Sequence, residues 1–312
     1  MSSSYKNQLL VTGGNGLVGN ALKTLCPNAI FLNRHDADLL ELEQTRNVFS
    51  KYKPQKVIHL AAKVAGVKTN AEKNADMFAE NISINTNVLR AAQENDVQKL
   101  VAVLSNCVFD ENSTEMLQEK NLHIGVPYHG HRGYGYAKRM MDVQIHLLKQ
   151  QYGSNFTSIT PSTIFGPNDN WDIQDSHVVG ALIHKCYLAK LEGRRFEVWG
   201  SGNAVRQFIY SVDVGKALLS VLETYDKPDT LIVAPNPPIT IRTLALTIAR
   251  LLDFKGEIYF NDQQLEGQIK RTLDSTPFLS LYPEFKTTAF EEALKTTLAW
   301  FIKNAKINQD KL

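Results

Sequence analysis

A glycine-rich turn near the start of the chain constrains the fold more than any other feature. The segment Thr12-Gly-Gly-Asn-Gly-Leu-Val-Gly19 lies between an apolar run, Gln8–Thr12, and a helix-periodic run, Leu17–Leu25. Its spaced glycines allow a tight turn, close approach of a pyrophosphate and close packing of helix on strand. The helix N-terminus beyond them favours negative charge. We therefore predict a dinucleotide site, expected to be contacted by Gly13, Gly14, Asn15, Gly16, Leu17, Val18 and Gly19.

The first half of the chain alternates short apolar runs with longer helix-periodic runs. Further strands are predicted at Ala29–Leu32, Lys56–Leu60, Leu100–Leu104 and Thr157–Thr160, and helices at Leu42–Tyr52, Asp76–Asn95 and Tyr134–Gln151. Such alternation implies a parallel sheet with helices on both faces. We predict an α/β fold built on a doubly wound parallel sheet of the Rossmann type.

The second half has a less regular pattern. Helices are predicted at Val178–Leu191, Val212–Leu222, Ile241–Leu252 and Phe290–Asn304, with Thr240 as the cap of the third. We expect a smaller C-terminal α+β domain over the carboxyl ends of the sheet, where ligands bind in α/β proteins. The predicted division assigns residues 1–162 and 204–236 to the dinucleotide-binding domain and residues 163–203 and 237–312 to the substrate-binding domain.

The end of the second predicted strand bears on the choice of coenzyme. Arg34 stands twenty-one residues after Gly13. An acidic side chain here binds the free ribose 2′-hydroxyl of NAD, whereas an arginine suits the 2′-phosphate of NADP. Arg34 therefore favours NADP, although Asp36 keeps NAD open and a solvated surface arginine is the alternative.

A tyrosine and a lysine at helical spacing indicate proton-transfer chemistry. Tyr134 and Lys138 are four residues apart and share one helix face. A phenol needs nearby positive charge to act as an acid–base catalyst at neutral pH, and Lys138 is expected to supply it together with a cationic nicotinamide. Ser105, at the end of the fourth strand, is predicted to hydrogen-bond a substrate carbonyl. The alternative is a purely structural pair.

Composition excludes several classes of function. The 34 basic and 32 acidic residues give a formal net charge of +2, which provides no basic field for a nucleic acid. No apolar run approaches the roughly 18 residues that span a bilayer, and the first residues do not form a secretory signal. The 3 cysteines are too scattered for a disulfide framework or a zinc cluster. We expect a cytoplasmic protein with a small-molecule substrate and no metal.

Longer motifs carry a family resemblance. They are Leu104-Ser-Asn-Cys-Val-Phe109, Phe165-Gly-Pro-Asn-Asp-Asn170, Ser176-His-Val178 and Trp199-Gly-Ser-Gly202 leading to Arg206-Gln-Phe208. With the features above, they make the chain similar to the extended short-chain dehydrogenase/reductase family, in particular to members that epimerise and reduce GDP-linked keto sugars. The resemblance implies NADPH-dependent 3,5-epimerisation and 4-reduction of GDP-4-keto-6-deoxy-D-mannose to GDP-L-fucose by a homodimer.

The resemblance also implies roles for individual residues. Cys107 and His177 are expected to be the base and the acid of epimerisation, since both have reference pKa values near neutral pH. A buried cysteine and a packing histidine are the structural alternatives. The further residues expected to bind NADP(H) are Leu39, Ala61, Ala62, Leu104, Lys138, Pro161, Ile164 and His177. Those expected to bind the nucleotide sugar are Lys185, Trp199, Arg206 and Glu266.

Some alternatives remain open at this level. Lys270 and Arg271 form a basic pair that either contacts phosphate or faces solvent. The chain could act on another GDP-4-keto-deoxysugar, a dideoxyhexose or a heptose. It could also be an inactive nucleotide-sensing relative, although the presence of Ser105, Tyr134 and Lys138 argues against this.

Overall fold

The structure, a computed structural model, describes residues 5, 8–173, 175–264 and 268–309. Its strands are β1 (Leu9–Thr12), β2 (Ile30–Phe31), β3 (Lys56–His59), β4 (Lys99–Val103), β5 (Phe156–Pro161), β6 (Thr163–Phe165), β7 (Phe196–Trp199), β8 (Val205–Arg206), β9 (Phe208–Tyr210), β10 (Leu231–Val233), β11 (Ile239–Thr240), β12 (Ile258–Asn261) and β13 (Lys270–Arg271). Its helices are α1 (Leu17–Leu25), α2 (Leu42–Tyr52), α3 (Val67–Glu72), α4 (Asn74–Glu94), α5 (Arg132–Tyr152), α6 (Val178–Glu192), α7 (Ser211–Thr224), α8 (Ile241–Leu251), α9 (Thr276–Leu281) and α10 (Phe290–Gln309). Short 3-10 turns cover Asn106–Val108, Glu119–Asn121 and His129–His131.

A six-stranded parallel sheet lies at the centre, in the order β10-β5-β4-β3-β1-β2. The chain runs outward from β1 to β2 and then crosses back to β3 on the other side of β1. This reversal opens a crevice beyond the carboxyl ends of β1 and β3, which is where such sheets bind ligands. The predicted doubly wound fold is confirmed.

Helices cover both faces of this sheet because its strands are apolar on both sides. On one face, α2, α4 and α5 contribute Phe49, Val88 and Met141 to a buried core beneath the sheet. On the other face, α1 and α7 contribute Leu22 and Leu218 to a separate core. Two packed layers therefore hold the carboxyl ends of the strands in fixed positions.

A third core lies outside the sheet. Helices α6, α8 and α10 pack around it with β7 and β12, and its buried residues include Ile183, Leu244 and Leu294. Phe208 belongs to this core, whereas Phe278 of α9 packs against the central sheet. The boundaries predicted for the two domains therefore stay a prediction.

The long helices and the strands of the first half were predicted accurately, and the short strands of the second half were not predicted. The helices predicted at 76–95 and 134–151 are observed as Asn74–Glu94 and Arg132–Tyr152. The Thr240 cap is present, because its hydroxyl accepts a hydrogen bond from the Thr243 N–H at 3.0 Å. Strands such as β8 and β13, each two residues long, have no periodic signal in the sequence.

Candidate active site

The glycine turn follows β1 and forms one wall of the crevice. Gly13 has φ of +70°, and a Cβ there would lie 2.9 Å from the backbone N of Ala61. A Cβ on Gly19 would lie 2.5 Å from the Gly13 carbonyl oxygen. Gly16 caps α1 without a side-chain hydrogen bond, and no acidic residue stands in the first turn. The turn and the open N-terminus of α1 fit the diphosphate of a dinucleotide.

The loop after β2 carries Arg34 and Asp36, the two residues that bear on the choice between NADP and NAD, and their surroundings differ. Asp36 accepts a hydrogen bond from the Asn33 N–H at 2.8 Å and so closes the loop on itself. Arg34 is exposed beside it. A carboxylate held by its own loop is less able to bind a ribose. This arrangement therefore favours binding of the NADP 2′-phosphate by Arg34.

Most other predicted cofactor contacts lie at the same edge of the sheet. Ala61 and Ala62 follow β3, Leu104 follows β4, Pro161 ends β5, and Ile164 lies in β6. Leu39 lies in the loop after β2 and packs against the core. These contacts remain predictions.

Tyr134 and Lys138 lie on the first two turns of α5 and face the crevice. The Lys138 ammonium is 5.7 Å from the centre of the Tyr134 ring and donates a hydrogen bond to the Val103 carbonyl at 2.9 Å. Lys138 is buried, and burial lowers its pKa to about 7. Burial and the nearby Cys107 raise the pKa of the Tyr134 phenol, while a hydrogen bond with Ser105 lowers it.

These shifts bear on the direction of proton transfer. The sequence predicts a phenol made acidic by Lys138, whereas burial is the largest influence on Tyr134 and keeps it protonated. A protonated phenol is the form that donates a proton to a carbonyl oxygen during reduction. Tyr134, Ser105 and Lys138 are therefore arranged as a proton-donating set.

A buried histidine, His59, lies next to the proton-donating set and was not predicted from the sequence. The His59 ring pairs through Nδ1 with the Thr12 hydroxyl at 2.8 Å and through Nε2 with Asn85 Oδ1 at 3.1 Å. Burial, and then the charge of Lys138, lowers the pKa of His59 to about 3, so the ring is neutral. The same Thr12 oxygen accepts hydrogen bonds from the Leu60 and Ala61 N–H groups at 3.2 Å. The network therefore links β1, β3 and α4 by hydrogen bonds next to Lys138.

Cys107 and His177 come from different elements. Cys107 lies in the 3-10 turn after β4, half-buried, and its N–H donates to the Ser105 hydroxyl at 3.2 Å. His177 is the N-cap of α6 and is exposed. Neighbouring protein atoms remove part of the water around the imidazole and so lower the pKa of His177, although much of the residue stays exposed. Both lie close to the proton-donating set. Cys107 contributes to raising the pKa of Tyr134, and His177 contributes to lowering the pKa of His131, which lies on the turn just before Tyr134.

Two further residues of the crevice were not predicted with these roles. His131 lies three residues before Tyr134. Burial is the largest cause that lowers the pKa of its imidazole to about 4, and His177 and Arg271 lower that pKa by smaller amounts. Arg271 donates from Nη2 to the Phe109 carbonyl at 3.2 Å. No local pattern in the sequence pointed to His131, whereas Arg271 was already one of a basic pair.

The residues predicted to bind a nucleotide sugar are only partly brought together. The Lys185 ammonium lies 3.8 Å from the centre of the half-exposed Trp199 ring. Arg206 pairs in register with Arg271 across β8 and β13. Glu266 lies outside the described residues. A cation, an aromatic face and two guanidinium groups are the groups that bind a nucleoside diphosphate.

Comparison with known proteins agrees with this geometry. The NAD dependent epimerase/dehydratase family matches residues 9–234. A GDP-L-fucose synthase of Dictyostelium discoideum is 39% identical over 97% of this chain and 97% of its own. A GDP-L-fucose synthetase of Naegleria fowleri bound to NADP superposes with a TM-score of 0.91 at 33% identity, covering 98% of this chain and 97% of that one. A GDP-D-glycero-L-gluco-heptose synthase of Campylobacter jejuni has a TM-score of 0.87 at 25% identity, covering 94% and 98%.

Proposed function

This chain belongs to the NAD dependent epimerase/dehydratase family, and we propose that it is a GDP-L-fucose synthase. It uses NADP(H) as cofactor and a GDP-linked sugar as substrate. The reaction is the 3,5-epimerisation and 4-reduction of GDP-4-keto-6-deoxy-D-mannose to GDP-L-fucose. The residue roles given below are part of the proposal.

Reduction is assigned to the proton-donating set. When bound, NADPH would supply the hydride that reduces the C4 ketone of the sugar. Tyr134 donates a proton to the C4 oxygen, and Ser105 holds that oxygen by a hydrogen bond. Lys138, held by the Val103 carbonyl at 2.9 Å, fixes the position of the phenol and is expected to contact the cofactor ribose. Arg34 would bind the 2′-phosphate of the cofactor, and the glycine turn would bind its diphosphate.

Epimerisation is assigned to Cys107 and His177. Inversion beside the C4 ketone requires removal of a proton from one face and delivery of a proton to the other. Cys107 lies in the turn after β4 and His177 at the start of α6, so the two groups are held by different elements of the fold. Ser105 and Tyr134 stabilise the enolate oxygen between these steps.

Substrate binding is assigned to residues of α6, β7 and β8. Trp199 provides a face for the guanine or ribose, and Lys185 and Arg206 provide positive charge for the diphosphate. Lys185 is already close to the Trp199 ring, so one side chain positions the other.

The position of Cys107 next to the proton-donating set carries this proposal, since its N–H donates a hydrogen bond to the Ser105 hydroxyl at 3.2 Å. A simple reductase needs only Ser105, Tyr134 and Lys138, whereas a thiol beside the reduced carbon supplies the second chemistry. The test is incubation of the enzyme with GDP-4-keto-6-deoxy-D-mannose and NADPH in heavy water, with cofactor oxidation and deuterium uptake followed together.

We expect NADPH oxidation and deuterium at C3 and C5. The Cys107→Ser variant should lose deuterium uptake while retaining NADPH binding. Oxidation without deuterium uptake by the wild type would contradict the epimerase half. Inactivity with this hexose but turnover of a GDP-4-keto-heptose would favour the alternative substrate.

We also propose a cellular location and an oligomeric state. No membrane-spanning helix is found in the described part of the chain. The free thiols Cys26, Cys107 and Cys186 support a cytoplasmic location. Exposed apolar side chains on α4 and α5, Phe78 and Leu147, support a homodimer through these helices. Sedimentation of the wild type and a Leu147→Glu variant tests the dimer.

A further inference from the structure

Arg139 is a buried arginine that follows Lys138 on α5. Its exposed fraction is 3%. Each of its three nitrogens donates a hydrogen bond to a different backbone carbonyl: Nε to Val108 at 2.6 Å, Nη1 to Gly125 at 2.8 Å and Nη2 to Ile124 at 2.9 Å. Burial of a guanidinium is costly unless hydrogen bonds replace its water, so these bonds hold the side chain in one position.

The carbonyls that accept these bonds belong to two segments that are themselves joined. The first segment begins with the 3-10 turn Asn106–Val108, called the Cys107 turn below, and the second contains residues 124–125. The Glu111 N–H of the first donates to the Val126 carbonyl of the second at 2.9 Å. Arg139 therefore links both segments to α5.

The Cys107 turn also packs directly against α5. Gly135 stands one helical turn before Arg139 and so shares its face of the helix. A Cβ on Gly135 would lie 2.7 Å from the Cys107 carbonyl oxygen, which is closer than van der Waals contact allows. The backbone of the turn therefore touches the helix at the residue that follows Tyr134.

Two consecutive side chains of α5 bind the chain on either side of the reacting groups. Lys138 donates to the Val103 carbonyl at 2.9 Å, and Arg139 donates to the Val108 carbonyl at 2.6 Å. Ser105 and the thiol of the Cys107 turn lie between these two carbonyls. The bond from Lys138 holds the end of β4, and the bond from Arg139 holds the turn beyond it.

We propose that Arg139 is a positioning residue that sets where the Cys107 thiol lies relative to the Tyr134 phenol, and so governs epimerisation more than reduction. This inference rests on the proposed function and deepens it. When Arg139 is lost, Lys138 still holds the end of β4, and the proton-donating set is kept. The Cys107 turn loses its hydrogen bond to α5, and misplacement of a reacting group by about 1 Å can lower a rate about 100-fold.

The first measurement follows the Cys107 turn itself and needs no sugar. Backbone hydrogen exchange of the NADPH-bound enzyme is followed by mass spectrometry in the wild type, Arg139→Met and Arg139→Lys. Methionine makes none of the three hydrogen bonds, and lysine keeps the charge on one nitrogen. Peptides covering residues 106–111 should exchange at least about tenfold faster in Arg139→Met, with Arg139→Lys between it and the wild type and with α7 unchanged. Unchanged exchange of these peptides in both variants would overturn the proposal.

The second measurement asks whether the two half-reactions separate. Each enzyme is incubated with GDP-4-keto-6-deoxy-D-mannose and NADPH in heavy water, and deuterium at C3 and C5 is divided by NADPH oxidised. This ratio should fall at least about tenfold in Arg139→Met and by less in Arg139→Lys, with the KM for the sugar unchanged. Arg250→Met is the matched control, since it removes an exposed arginine that is paired with Glu291 at 2.7 Å and should keep the wild-type ratio.

The ratio is independent of how much enzyme is folded, so a merely structural role of Arg139 would leave it unchanged. An unchanged ratio in both variants would therefore refute the proposal, as would a raised KM without a change in the ratio. If Arg139→Met does not fold, Arg139→Lys decides by the same two measurements. If the wild type fails to turn over the hexose, the proposed function fails, while hydrogen exchange still decides whether Arg139 holds the Cys107 turn.

Discussion

Replacement of His59 by leucine tests whether a neutral, buried imidazole makes the stability of the protein depend on pH. Burial lowers the pKa of His59 to about 3, whereas an imidazole in the unfolded chain has a pKa of about 6.5. Between these values the unfolded state binds one more proton, so stability is full above about pH 6.5 and falls as the pH decreases. One proton corresponds to about 1.4 kcal/mol per pH unit, so this histidine removes about 2 kcal/mol of stability between pH 7.5 and pH 5.

The His59→Leu variant should lose this dependence. At pH 7.5 it should be less stable by about 1–3 kcal/mol, because Asn85 Oδ1 and the Thr12 hydroxyl lose a buried partner. Urea unfolding of both proteins at pH 7.5 and pH 5 gives the difference directly. His35→Leu is the matched control, since His35 is exposed and its removal should leave the wild-type dependence. An unchanged pH dependence in His59→Leu would refute the reasoning.

Three further predictions concern the crevice. Tyr134→Phe should lower NADPH oxidation by about 100-fold or more, with cofactor binding by fluorescence titration unchanged, because only the proton donor is lost. Gly13→Ala should weaken NADPH binding at least about tenfold, since it adds a Cβ where φ is +70°, whereas Gly153→Ala, at φ +72° with open space around it, should not change binding. Arg34→Asp should raise the KM for NADPH many-fold relative to NADH, and an unchanged coenzyme preference would contradict the assignment.

Several features of this protein were predictable because their signals are local. The glycine turn lies within one strand–helix junction, and Tyr134 and Lys138 are one helical turn apart. Periodicity over ten or more residues located the long helices to within a few positions. The fold and the proton-donating set follow from these short-range patterns.

Only the tertiary structure brought the remaining groups to the site. The Thr12, His59 and Asn85 network joins three elements, and a buried histidine in a strand has no sequence pattern that names its partners. Arg271 reaches the Phe109 carbonyl across 162 residues of sequence, through a two-residue strand that carries no periodicity. Charges separated along the chain influence each other only after folding removes the water between them, and for this reason the sequence determines the chemistry of the site while the packing decides its electrostatics.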